Sequence, residues 1–461
     1  MAVFSSARCA LIGLLLPLCA FAQAPDSGLP LDSLLRVAVA DNPSLAAERL
    51  HADALGTRAE QVSARPNPTV GVTAFPAPIL TARGAQQAQV RVEQRFPWPG
   101  TLRLRAEAAA RGAEMAEAQS EAYALDVALA VKTVYVGLAR VQATRRHVEA
   151  FQARLVAFVD AAVTRYEVGR GPQSAILQIQ LARERLTARL LDLDTEEARA
   201  QQTLARLLNA PNLATFGTMP LATLASPRSR PARTVPLTGE GDSLAAVQAC
   251  QAGGANPEHC ASATADLLLT QHPENDALDA RIAQAEAEAA LARQSRYPDL
   301  GVNVTYFNIG DRSVPTSADG RDAFAVGVTM SIPLDGARRR AAEDEARLRA
   351  AQAEAERTAL ATDIATTLAG LRAQLRDEAA QIALYTDRLL PQANATVESV
   401  LAAYATGRAD YGALLDAERT RFDLRLALDA ARARYAHAVA ALERTLGTPP
   451  SQTQLGAPND E

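Results

Sequence analysis

Pro68-Thr69-Val70-Gly71-Val72 and Pro298-Asp299-Leu300-Gly301-Val302 stand 230 residues apart and read as one phrase written twice. Each opens a run with a period of two. Val70 and Val72 occupy one side of the first, and Leu300, Val302, Val304 and Tyr306 one side of the second. The same offset relates Asn42-Pro43 to His272-Pro273. Farther along, Pro97 and Gly100 answer Pro333 and Gly336 at 236, and Tyr166, Gly169 and Arg170 answer Tyr404, Gly407 and Arg408 at 238. Leu204 and Leu208 answer Leu442 and Leu446, again at 238. Such an ordered set marks a duplicated chain with two short insertions, six residues in a loop and two in a helix. A repeat takes precedence over any local reading.

Each copy predicts helix, two strands, long helix, tight turn, helix. The strands fall at about 68–76, 86–96, 299–308 and 322–332. In the second of them Gln87, Gln89, Arg91, Glu93 and Arg95 alternate with Ala88, Val90 and Val92. In the fourth, Phe324, Val326, Val328, Met330 and Ile332 alternate with Ala323, Ala325, Gly327, Thr329 and Ser331. Segments of about ten residues, apolar on one side and small or polar on the other, suit the wall of a membrane barrel. A half-buried hairpin of a soluble domain has the same alternation, so the strands alone leave both open. Trp98, between Pro97 and Pro99, suits an interfacial aromatic belt as well as a packed interior. Four strands cannot close a barrel, since the smallest membrane barrels have about eight, and open edges are not tolerated in lipid. Strands that span a membrane must therefore be shared among chains: two give eight, three give twelve with more room for a passage.

The helices give an independent measure. Residues 101–168 contain no proline and predict a helix of ~100 Å at about 1.5 Å per residue. Residues 31–64 and 172–209 predict ~50 Å and ~57 Å, which stacked end to end match the long one. The second copy repeats this with 337–406 against 264–296 plus 410–446. Pro391 is expected to kink its long helix, because proline lacks the backbone donor and clashes with the preceding turn. The product is a rod about 100 Å long with a strand hairpin at one end of each copy.

Composition agrees. Of the 461 residues 48% are hydrophobic but only 4% aromatic, so Ala, Leu and Val supply the apolar surface of closely packed long helices. The formal charge of −5 and the lack of a basic cluster exclude nucleic acid as the default partner. Lys132 is the single lysine among 47 basic residues. No nucleophile–base set, phosphate loop or convincing metal cluster marks an enzyme. Residues 1–22 are expected to be a secretory signal: Arg8, the apolar run Cys9 to Leu18, then Ala20-Phe21-Ala22. An anchoring helix would need ~20 apolar residues, and lipidation would need Cys19, which follows Leu18 where a small residue is usual. No apolar run of ~18 residues is read downstream.

In the exported chain Cys250 and Cys260 read as a disulfide; a metal site with His259 is the alternative, short of a full zinc set. The organisation expected is thus signal 1–22, first repeat 23–209, linker 210–263, second repeat 264–447 and a polar tail 448–461. The linker is rich in Pro, Gly, Ser and Thr, and is expected to wrap the rod as an irregular equatorial collar.

The constellation resembles the TolC family of outer-membrane efflux ducts over nearly the whole exported chain. Most specific are the doubled layout and the two tips, Tyr166-Glu167-Val168-Gly169-Arg170 and Tyr404-Ala405-Thr406-Gly407-Arg408. Phe96-Pro97-Trp98-Pro99-Gly100, and Val168-Gly169-Arg170-Gly171-Pro172-Gln173 running on to Leu177 and Gln180, are similar to the heavy-metal branch of CzcC and CusC type. The resemblance implies a mainly α chain with a membrane β-barrel portion. Three copies would share a twelve-stranded barrel in the bacterial outer membrane above a periplasmic α-helical tunnel. It implies as partners a periplasmic adaptor and an inner-membrane pump, often of the resistance-nodulation-division type. It implies neither cofactor nor chemistry.

It also assigns residues. The turns at Val168, Gly169, Arg170 and at Thr406, Gly407, Arg408 would dock the adaptor, although glycine caps explain the two glycines without it. Tyr404 matches the family's gate tyrosine, and Asp416, nine residues after Gly407, one acidic ring position. The other ring position is Ala413, its counterpart in the first copy is Ala175, and Asp410 is the nearest substitute carboxylate. Three such carboxylates in a narrow bore would attract cations and repel anions; a merely solvated helix face is the plainer reading. The metal assignment rests on resemblance alone, since His51, His147, His259, His272 and His437 are scattered. A duct for drugs, other small molecules or secreted protein is the alternative cargo reading, and a periplasmic coiled-coil adaptor the alternative class.

Overall fold

The computed structural model of the chain describes residues 30–81, 84–169, 171–211, 218, 220–224, 272–310 and 321–447. The leader with Cys19, the Cys250–Cys260 pair with His259, most of the linker, Arg170 and the tail lie outside the described residues. The first repeat runs α1 (Leu31–Asp41), α2 (Pro43–Gly56), α3 (Arg58–Ser63), β1 (Thr69–Thr81), β2 (Gly84–Phe96), α4 (Thr101–Glu167) and α5 (Gln173–Leu207). A short α6 (Leu221–Leu224) follows. The second repeat runs α7 (Pro273–Gln294), β3 (Asp299–Gly310), β4 (Ala323–Ser331), α8 (Gly336–Leu384), a π-turn at Tyr385–Leu389, α9 (Leu390–Ala405) and α10 (Tyr411–Thr445).

The duplication holds at the level of single hydrogen bonds. Asn42 precedes Pro43, which pushes it out of helical geometry (φ −66°, ψ 120°). Its Oδ1 accepts the Ser44 and Leu45 N–H groups at 3.0 and 3.1 Å and so caps α2. At the matching position buried His272 precedes Pro273, and its Nδ1 accepts the Glu274 N–H at 3.2 Å to cap α7. One helix over 31–64 was predicted; the chain makes three, because this Asn-Pro step ends α1 and a second break falls at Thr57.

α4 spans 67 residues, ~100 Å, flanked along its length by α1, α2 and α3 on one stretch and α5 on another. In the second copy the expected kink at Pro391 is a wide turn. Leu390 N–H reaches back to Tyr385 O, and Pro391 sits in the first turn of α9, where its missing donor costs least. Contrary to the sequence reading, α4 holds an 18-residue stretch apolar enough to cross a membrane. It is largely buried instead: Val131, Tyr135, Val136 and Ala139 form the core with Leu35, Leu45 and Leu204.

The four strands form one antiparallel sheet in the order β1-β2-β3-β4. β1 continues past the expected Ala74–Pro76 end to Thr81, slipping register between Ala74 and Ile79; as an edge strand it tolerates Pro76 and Pro78. The pairing sorts side chains by face. Val70, Val92, Val304 and Val326 form one row across the sheet, and Phe96, Leu300 and Met330 another. Between them on the opposite face lie rows such as Gly71, Arg91, Thr305, Ala325 and Thr69, Glu93, Asn303, Gly327. The apolar rows are solvent-exposed, unlike the inward face of a soluble sheet.

Candidate functional site: the seam between repeats and the paired tips

α4 and α10 run antiparallel side by side, so polar residues of the first repeat meet polar residues of the second in a ladder. Asp126 accepts from Arg444 Nε at 2.8 Å, and Lys132 Nζ donates to Glu443 at 2.6 Å. His147 Nε2 meets Asp429 at 2.9 Å, and Arg154 Nη1 donates to Glu418 at 3.3 Å. In every rung the two residue numbers climb and fall in step, as antiparallel helices require. Lys132 is buried here, which explains why the lone lysine needs the Glu443 carboxylate. Glu418, only 4% exposed, also pairs with Arg421. Burial and the neighbouring Arg421 and Arg154 push the Arg425 guanidinium below its usual range.

A further contact between the repeats, from α4 to α9, lies at the tips. Arg165, in the final turn of α4, donates from Nη2 to the Tyr404 carbonyl at 2.7 Å, and its guanidinium carbon lies 4.1 Å from the centroid of the Tyr404 ring. The Tyr404 ring meets Tyr411 edge-on, with centroids 6.3 Å apart. The Tyr411 hydroxyl is buried without a hydrogen-bond partner among the described residues, and burial raises its pKa. The tips themselves are the same turn twice. Gly169 (φ 68°) and Gly407 (φ 76°) both take the left-handed conformation. Their N–H groups bond to Tyr166 O at 2.9 Å and Tyr404 O at 3.0 Å. Val168 is exposed; Thr406 donates to Ala402 and Ala403 carbonyls and accepts from Arg408 Nε at 3.1 Å.

The two candidate acids differ. Asp410 caps α10, its Oδ1 accepting the Ala413 N–H at 2.8 Å, so this carboxylate is committed to the helix start. Asp416 is 78% exposed and lies 3.8 Å from Arg419. Arg165 and Tyr411 were not singled out from sequence. Their contacts depend on how α4 lies against α9 and α10, which the local sequence does not show. Among the described residues no group of three or more His, Cys, Asp or Glu is placed to hold a metal ion.

A fold of this kind, two helical repeats each carrying a strand hairpin, is that of TolC-type outer-membrane channels. The solved outer-membrane channel OprN overlays with a TM-score of 0.70 at 18% identity, covering 91% of this chain and 90% of its own. CusC, solved in a study of folding and transmembrane channel formation, gives 0.69 at 16%, covering 90% and 91%. The outer membrane protein VceC of Vibrio cholerae gives 0.68 at 19%, covering 90% and 96%. No curated protein matches the chain by sequence. Residues 264–448 match the outer membrane efflux protein family.

Proposed function

We propose that the chain is the outer-membrane duct of a tripartite efflux system, a passive conduit in which three copies complete one barrel and one tunnel. The observation that carries this reading is the sheet. Four strands present an apolar outer face and a small or polar inner face, while β1 and β4 end in unpaired edges. Lipid accepts such a sheet only when neighbouring copies pair those edges. The duct needs no catalytic group; its work is to hold a continuous wet path.

On this reading the helical tips form the inner end. Val168, Gly169, Arg170, Thr406, Gly407 and Arg408 dock a periplasmic adaptor, and the adaptor couples the duct to an energised inner-membrane pump. Tyr404 holds the tip closed through Arg165, and Asp416 from each copy rings the bore with negative charge. Heavy-metal cations are the proposed cargo, on the strength of the Phe96-Pro97-Trp98-Pro99-Gly100 and Val168-to-Gln173 motifs. Selectivity then resides chiefly in pump and adaptor, with Asp416 favouring cations in transit.

Two experiments test this. Cells lacking the gene, challenged separately with zinc, cobalt, cadmium, copper, silver and lipophilic drugs, are expected to be hypersensitive to metals; sensitivity to drugs alone contradicts the cargo. In a planar bilayer, Asp416→Asn is expected to weaken cation preference, and unchanged selectivity removes Asp416 from the bore.

A further inference from the structure

We infer that the foot of the sheet, where the strands join the helices, is a docking belt for anionic phospholipid headgroups in the leaflet on the helical side. The inference rests on the reading that the strands span a bilayer, and it adds which lipid lies against this edge.

All four strands enter or leave the helices at one edge: β1 at Thr69, β2 at Phe96, β3 at Asp299 and β4 at Ser331. The segments there, 64–66, 96–105, 293–299 and 332–340, hold eight arginines and two carboxylates, in a chain whose total charge is −5; Glu107 and Glu343, just beyond them, pair with Arg103, Arg293 and Arg296. Both carboxylates are already used by the backbone. Asp299 accepts the Trp98 N–H at 3.2 Å, and Asp335 accepts the Arg338 N–H at 3.2 Å to cap α8. Exposed Arg65, Arg338 and Arg340 have no carboxylate partner among the described residues.

The apolar face continues directly into this cationic edge. Phe96 shares a row with Leu300 and Met330, and the Arg65 guanidinium carbon lies 6.0 Å from the Phe96 ring centroid. Trp98 stacks on Tyr297 with centroids 4.9 Å apart and planes within 10°. Ile332 and Leu334 beyond β4 are exposed, Leu334 by 89%. Flat aromatics belong at the boundary between hydrocarbon and headgroup, and arginines beside them reach into the headgroup layer. Guanidinium groups without a carboxylate partner at that depth match phosphates carrying net negative charge rather than zwitterions.

Trp98 is the only tryptophan, so its fluorescence reports on this edge alone. The full-length protein is reconstituted in zwitterionic vesicles containing equal small fractions of brominated phosphatidylglycerol or brominated phosphatidylcholine. Quenching of Trp98 is expected to reveal about fivefold enrichment of phosphatidylglycerol, the effect of one basic side chain at an anionic surface. High salt and the triple variant Arg65→Gln, Arg338→Gln, Arg340→Gln are both expected to abolish the preference. Equal quenching by the two lipids at low salt in the unmodified protein overturns the belt and leaves the membrane reading intact. Absence of quenching by either lipid overturns both.

Discussion

His272 is a residue whose job is defined by its partner in the other repeat. Asn42 caps its helix with an oxygen that does not titrate, whereas His272 caps with Nδ1, which must be unprotonated to accept. Burial is the largest influence and lowers the imidazole pKa below 6.5; the Arg444 charge pushes the same way, while Glu274, the Arg444 backbone and Asp276 oppose it. A lowered pKa means the unfolded chain binds the proton more readily. Stability is therefore complete above pH 6.5 and falls as the pH drops from 6.5 through the lowered folded value. Lowering the pH from about 7.5 to about 5.5 is expected to destabilise the fold through this group, read as a fall in melting temperature. His272→Asn restores the cap of the first repeat and is expected to flatten that part of the thermal-melting profile. A profile as steep as before would show that the titration lies elsewhere.

Arg165 is the other decisive residue. It clasps Tyr404 by its ring and its carbonyl. Such a contact is worth about 1–2 kcal/mol, enough to shift a closed-to-open ratio by roughly tenfold. Arg165→Ala is accordingly expected to raise the resting conductance of reconstituted channels; an unchanged trace removes this clasp from the closure. The sequence identified the tyrosine because the tip motif is repeated. It could not identify the arginine, because that pairing depends on how α4 lies against α9 and α10.

At the scale of elements, proline and glycine made the layout legible. Asn42-Pro43, His272-Pro273, Gly169 and Gly407 all act locally, so their effects follow from their immediate neighbours. What the sequence missed are the places where one local rule met another. The predicted helix over 31–64 ignored what Pro43 does to Asn42, and β1 proved longer because its prolines sit on an edge. Pro391 disturbs its helix upstream, where the π-turn relieves it. The ladder between α4 and α10 was hidden altogether, since partners such as His147 and Asp429 lie hundreds of residues apart.

The sheet carries the element-scale prediction. Val326 belongs to the apolar row, and the adjacent Ala325 to the row of Gly71, Arg91 and Thr305. Val326→Arg is expected to cost about 2–4 kcal/mol per chain in lipid and to suppress insertion. Ala325→Arg is expected to insert normally and to change conductance, since it faces water. Heat-modifiable mobility on gels and single-channel recording separate the two. Equal insertion of both variants would mean that the faces are assigned wrongly.

The molecule as a whole is a rod that is complete along its length and incomplete around its girth. Its buried core is largely alanine, leucine and valine between long helices, and the repeats are tied by shared apolar clusters, by the β2–β3 pairing and by the polar α4–α10 ladder. Its sheet, by contrast, leaves apolar rows exposed and two edges open. Duplication and strand count were legible in the sequence. The line along which a protomer divides into two repeats was not, because it is built from pairings across the fold.

The most direct measurement is native mass spectrometry of the purified full-length protein released from detergent micelles. Three copies per particle are predicted, since three sheets of four strands close twelve around a passage. A particle that holds one chain, stable and unaggregated, contradicts the account.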